Sequence, residues 1–519
     1  MDPCLPTISR RDLLGAAALI GAGACSPGFA QINRGYGMPR VSLPDFPTGD
    51  MLTGGGTGAI WAHLLTTSSL LNVTPEGRVT GGVALSWALS PDRLRLDLHL
   101  RIDALFADGT RVVPEDVLAS VVDARERQSG SPEAWRWDNM ETVEVTPDDA
   151  IRFTLTAPDA SFPALLASRL TPVYPAAWIA QGWEHEAGPC PPSSGGFHLE
   201  SRSDDRLRFS RNNGFYQVGR PRLAGVVCTA PVESIPRTTD LVTNGVDLMI
   251  DVPLLDVALL REDPGILLAG GPTNRLCMLV VNLRSQVLSD SRMRRLISGV
   301  IDREELVRSA TAGEALPAAA LIPGEHWAGM NVDREVADAN DLRDQLAALG
   351  NPPGVDLRLI ANEADASLAN AGVVLQEQLA WAGIALSLDF LDDAAMETGL
   401  AGDAWDLAIR YSPYWDDPHE LVRPLLTSDG PANAGGFRNQ RLDYLVGLAN
   451  RARGNENRGR LYRAIEEIVV NEVPVIPLFF PNYYDAMGAR MQDYPYFPPI
   501  SVSAMNQATM VRSEPFERP

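Results

Sequence analysis

The chain has 519 residues, more than a single hydrophobic core can organise, and its 45% hydrophobic and 21% charged content is that of a globular protein of about three or four lobes. Its 44 basic and 66 acidic side chains leave a net charge of −22, a surface that repels phosphate backbones and anionic lipid and argues against nucleic acid as a partner. Six histidines never take a HExxH-like spacing and five cysteines never form a CxxC pair, so no structural zinc site is expected, and no cofactor.

In residues 1–30, Ser9-Arg10-Arg11-Asp12-Leu13-Leu14 precedes a weakly apolar stretch from Gly15 to Ala24 that is too short to span a bilayer permanently. This layout looks like a twin-arginine export signal, with Gly28-Phe29-Ala30 at the cleavage positions and Gln31 as the mature start. The rival expectation is lipid attachment at Cys25. Export places the protein outside the cytoplasm, where Cys190 and Cys228 could oxidise to a disulfide.

Val41-Ser42-Leu43 alternates like a strand, and apolar residues from Trp61 to Leu71 fall at helical spacing. Leu94 to Arg101 alternates strictly with period two, as in a strand with one buried face. Pro114-Glu115-Asp116-Val117 opens a helix, because proline suits the first turn and acids suit the positive end of the dipole. The runs at residues 189–192 and 264–272 are rich in proline and mark crossings between lobes. Trp405-Asp406-Leu407-Ala408-Ile409 is a short buried strand that runs into Tyr411-Ser412-Pro413-Tyr414-Trp415-Asp416-Asp417-Pro418-His419. There two prolines stiffen a loop crowded with rings and carboxylates, at the carboxyl end of a strand where α/β sheets bind ligands.

The run ALSWALSPDRLRLDLHLRIDALFADGTRVVPEDVLAS resembles the signature of the family 5 extracytoplasmic solute-binding proteins, the dipeptide, oligopeptide and nickel receptors of ABC importers. Further segments follow in family order: Thr142 to Val145 with Ile151 to Leu155 as the hairpin expected there, Ser193-Ser194-Gly195-Gly196-Phe197, Arg211 to Tyr216, Asn282-Leu283 followed by Asp290 to Leu306 as a helix ending GVIDREEL, LQEQLAWAGIALSLDFL and RGRLYRAIEEIVVNEVPVIPLFF. The resemblance covers roughly residues 40–490. It implies an α/β chain with the type II periplasmic-binding-protein fold, two main lobes around a hinged cleft plus an inserted lobe. Lobe I would comprise 31–60, 187–272 and 480–519, lobe II the insertion 61–186, and lobe III 273–479. The implied partners are a peptide or small-molecule solute and the permease subunits in the inner membrane, with the protein itself a monomer in the periplasm.

In peptide-binding members, the loop matching Tyr411 to Pro418 carries an aspartate that pairs with the peptide amine. Tyr414 stands at that position here, so Trp415, Asp416 or Asp417 would have to replace it. The WDDPH run is similar to the nickel branch and makes His419 a candidate metal or chelate ligand, with a turn-capping histidine as the alternative. Tyr411 stands where the family places a stacking aromatic. Trp61, His63, Trp135, Arg136 and Trp137 would lie in lobe II as candidate solute contacts, where the indoles of Trp135 and Trp137 flanking Arg136 could line the opposite wall, or all would pack in the core of their lobe. Asn274 and Arg275 open the strand into lobe III, and arginine suits bidentate contact with a carboxylate. The expected function is capture of a peptide-like or other small polar solute between lobes and its delivery to an ABC permease. Nickel, metal-chelate or glycoside binding is the nearest alternative. An exported hydrolase using Asp416 and Asp417 is the more distant one, since no nucleophile elbow or phosphate loop is visible and the chain is not expected to be an enzyme.

Overall fold

The computed structural model describes residues 34–35, 37–47, 56–74, 78–182, 190–229, 236–332, 344–345, 347–348, 355–495 and 503–511. The export signal and Cys25 lie outside the described residues.

Most of the chain hangs on one twelve-stranded mixed sheet. At one end Ile384–Leu391, Val355–Asn362 and Leu407–Tyr411 are parallel neighbours, and Leu407–Tyr411 pairs antiparallel with Cys277–Val281. Cys277–Val281 in turn pairs with Val475–Gly488, a strand of fourteen residues. Beyond it stand Leu248–Met249, Arg40–Ser42, Gly225–Thr229, Arg206–Arg211 and Phe197–Arg202. Ile266–Pro272 and Ala315–Pro317 also pair with the long strand.

The apolar run Leu276-Cys277-Met278-Leu279-Val280-Val281 is unbroken because both its faces are covered. Cys277, Leu279 and Val281 join a core with Ile297, Leu359, Leu375 and Leu478, whereas Leu276, Met278 and Val280 join another with Leu321, Trp405, Tyr462 and Ile465. Each leucine fully buried in this way contributes about 1.5–3 kcal/mol. A separate sheet of four strands, in the order Ala84–Leu89, Arg95–Leu100, Ala150–Leu155, Met140–Val145, packs with the helix Pro114–Arg127 around its own core of Leu98, Val117, Ile151 and Phe153.

The predicted hairpin, strand and helix in this inserted domain are all present. Other expectations need correction. The helix expected from Trp61 to Leu71 is Thr57–Thr66, with Leu71–Val73 a strand, and its Trp61 and Leu65 join the core of Val41, Phe197 and Leu248. The helix expected from Asp290 to Leu306 is two, Ser291–Val300 and Arg303–Thr311. Asp290 and Asp302 each cap one, accepting the amides of Arg292 at 2.8 Å and Glu305 at 2.9 Å, so the aspartate read as an interior residue starts a second helix. The proline-rich run at 264–272 crosses as the strand Ile266–Pro272. Cys190 and Cys228 are free thiols.

Candidate functional site

Tyr411 ends its strand with its neighbour still in the ladder, because Ser412 donates its amide to Leu276 O at 2.7 Å and its hydroxyl accepts Leu276 N–H at 2.9 Å. Arg275 Nε donates to Ser412 O at 3.3 Å, and the Asn274 side-chain amide donates to Trp415 O. The loop closes on Asp417, which accepts the amide of His419 at 2.9 Å and caps the helix Pro418–Leu426. Pro418 occupies the first turn of that helix, where its missing N–H costs nothing.

The loop presents two groups of side chains. In the first, the Arg275 guanidinium lies 4.3 Å from the centre of the Tyr411 ring and 5.1 Å from that of Tyr414, and it hydrogen-bonds Tyr414. Tyr414 meets Tyr483 edge-on at 6.4 Å. Asp251 stands on the first-lobe side, with a left-handed φ of 55°, its amide bonded to Asp485 and its carbonyl to Arg237. Burial pushes the Asp251 carboxyl up, while Arg275 and Arg237 pull it down. No described carboxylate lies within ion-pair distance of Arg275.

In the second group, Trp135 and Arg136 of the inserted domain face the helix Pro418–Leu426 across a cavity of about 340 Å³, which Asp138, His419, Glu420 and Arg423 also line. Arg136 bonds Glu420, whose other oxygen accepts the amide of Asp416 at 2.9 Å. Burial holds the Glu420 carboxyl up at about 7, with Arg136 opposing the rise. The His419 ring meets Trp135 edge-on at 5.8 Å, inclined 68°, and burial depresses its pKa to about 4, so the imidazole is neutral at pH 7.

The structure thus brings Asn274, Arg275, Tyr411 and Tyr414 together, and Trp135, Arg136, Asp416 and His419 together. It withdraws others. Trp61 and His63 are buried in the first-lobe core helix, and Trp137 is 2% exposed with its indole N–H on Gln128. Trp415 is likewise buried, packed perpendicular to His326 at 5.2 Å. Asp417 is buried and bound by Arg458 through two bonds of 2.6 and 2.7 Å, so its charge is already balanced within the protein. Among the described residues no group of three or more His, Cys, Asp or Glu side chains could hold a metal ion. Sequence reasoning missed Asp251, Glu420 and Arg458. Only Asp251 carried a signal, an aspartate after the apolar run Leu248-Met249-Ile250 and just before a proline turn.

Comparison with known proteins places this architecture. The Probable D,D-dipeptide-binding periplasmic protein DdpA of Escherichia coli K12 is 25% identical over 449 residues, covering 83% of this chain and 85% of its own length. The Glutathione-binding protein GsiB of the same strain is 22% identical over 446 residues, covering 84% and 87%. Among solved structures, the binding protein AgaA of A. tumefaciens R10 in complex with agropinic acid superposes with a TM-score of 0.80 at 20% identity, over 92% of this chain and 99% of its own. DppA of Helicobacter pylori in complex with the peptide STSA gives 0.79 at 19% identity, over the same shares. These likenesses give the chain the type II periplasmic-binding-protein fold. The model for "Bacterial extracellular solute-binding proteins, family 5 Middle" matches residues 78–433, and the chain belongs to this family of solute-binding proteins that serve ABC importers.

Proposed function

We propose that the chain is a periplasmic, monomeric receptor whose lobes close over a small solute bearing a carboxylate, received by Arg275 between Tyr411 and Tyr414. Capture of a solute and its delivery to an ABC permease is the family role and needs no catalytic group. The observation that carries the choice of solute is the guanidinium of Arg275 against the rings of Tyr411 and Tyr414, with no described carboxylate within ion-pair distance of it. A guanidinium held close to two rings is preorganised for a planar anion, so less ordering cost remains on binding. A free peptide amine lacks its usual partner. Tyr414 stands at the aspartate position and Asp417 is committed to Arg458, which leaves the Asp416 carboxylate as the nearest replacement. Lobe I, the insertion and lobe III keep the expected boundaries in this reading, except that the insertion starts after Thr66.

The test is calorimetry on one dipeptide prepared with its amine free or acetylated and its carboxylate free or amidated. Amidation should weaken binding at least tenfold and acetylation should not. In Arg275→Gln the penalty for amidation should disappear. Affinity that follows the amine and ignores the carboxylate would overturn the reading.

A further inference from the structure

Among the described residues the inserted domain meets the C-terminal lobe mainly through polar groups, with the Trp135 ring against His419 and Arg423 as the aromatic contact. Arg136 bonds Glu420, Arg423 reaches Asp138 at 3.5 Å, and the amide of Ala160 donates to Asn450 O at 2.9 Å. Arg93 donates to Arg451 O at 2.6 Å and Arg453 to Pro91 O at 2.7 Å. No apolar cluster among the described residues contains members of both domains, and a cavity of about 340 Å³ lies between them. Such a contact can part without exposing a core, which a reversible closure requires.

One of these contacts continues into the solute loop. Arg136 sits in the turn Ala134–Trp137, its side chain 13% exposed, and meets Glu420, 8% exposed. The Glu420 carboxylate divides its oxygens: Oε1 takes the guanidinium of the other domain and Oε2 takes the backbone N–H of Asp416. Asp416 lies next to Trp415, whose carbonyl is tied to Asn274, and Asn274 adjoins Arg275. A buried carboxylate that loses its cation stands beside the carboxylates of Asp416 and Asp417 with nothing to balance it, so it protonates or turns towards water, and either change weakens its hold on the amide.

We infer that Arg136 is a positioning residue for solute binding: on closure the inserted domain locks Glu420 onto the Asp416 amide and so sets the shape of the loop that carries Tyr411 and Tyr414. This inference rests on the proposed solute site being at that loop, but its test needs no solute.

The experiment is hydrogen exchange on the full-length chain, comparing wild type with Arg136→Met, Arg136→Lys and Glu420→Gln. In Arg136→Met the Asp416 amide should exchange at least tenfold faster, while amides of the strand Ala150–Leu155 keep their rates. Arg136→Lys should restore most of the protection, and Glu420→Gln should fall between, since its amide oxygen still accepts a bond but forms no ion pair. Unchanged exchange at Asp416 in Arg136→Met would overturn the inference. So would a general loss of protection through the inserted domain, or a lysine variant no better than methionine. Should Arg136→Met fail to fold, the Glu420→Gln and Arg136→Lys rates decide alone. Loss of carboxylate preference in the calorimetry would count against the solute reading and leave this result standing.

Discussion

The bond between Arg458 and Asp417 is the part of the loop most open to a stability test. Both side chains are buried, 6% and 11% exposed, and the guanidinium also donates to Ala449 O at 3.1 Å and faces the Trp327 ring at 5.1 Å. Asp417→Asn is nearly isosteric and keeps an oxygen to cap the helix, so the cap worth about 1 kcal/mol survives. What it removes is the countercharge: the amide NH₂ now points at a buried guanidinium N–H, and only Ala449 O and the Tyr462 hydroxyl at 3.3 Å still accept from Arg458. Breaking a buried pair from one side costs about 3–5 kcal/mol. For a domain of about 150–250 residues, where 1 kcal/mol moves Tm by about 2–4 °C, the melting transition of the C-terminal lobe should fall by about 6–20 °C. Adding Arg458→Met should cost little further, because the cation left stranded is then gone. Differential scanning calorimetry of wild type, both single variants and the double variant measures all four corners. If Asp417→Asn melts within about 2 °C of wild type, or the two single effects simply add, the pair does not hold the loop in place.

Other expectations follow from burial and close approach. Glu466 is 1% exposed and accepts the amides of Leu321 and Ile322, and burial lifts its carboxyl to about 7. Its folded pKa lies above the ordinary 4.5, so the stability it contributes is present below pH 4.5 and lost as pH rises through 7. Between pH 5 and pH 8, urea melts should therefore shift in favour of Glu466→Gln over wild type by about 2–3 kcal/mol; parallel pH profiles would count against an ionising Glu466. A Cβ on Gly195 would lie 2.6 Å from backbone atoms of Thr66 and Thr67, whereas one on Gly271 would meet nothing within 4 Å. Gly195→Ala should cost about 1–3 kcal/mol or more and Gly271→Ala almost nothing, and equal melting temperatures for the two would refute the packing argument.

The sequence exposed those features whose cause is local. Alternation in Leu94 to Arg101 marked a strand because one of its faces is buried, and Pro114 with its acids marked a helix because they satisfy its first turn. The loop after Leu407–Tyr411 was legible from its prolines and rings, and so was the interest of Arg275. Illegible were the partners that span the fold. Arg136 lies 284 residues from Glu420 and Arg458 lies 41 residues from Asp417, and no periodicity connects them. The same holds for the tryptophans. Trp61, Trp135 and Trp137 look alike in sequence, yet the first fills the first-lobe core, the second edges a cavity and the third fills the inserted core, since spacing gives a face and not its neighbour.

The strand Val475–Gly488 belongs to both halves of the great sheet, pairing with Cys277–Val281 at its start and with Ile266–Pro272 at its end. The chain thus passes between the halves as two adjacent antiparallel segments bonded along Gly270-Gly271-Pro272 and Asn482-Tyr483-Tyr484. A ribbon of that kind bends and twists about its own axis far more readily than it slides or splays, because sliding would break every rung at once. The halves are thereby confined to something near a single angular coordinate, as pages are by a spine. A permease facing this receptor would then need to read one angle to know whether the cleft is shut.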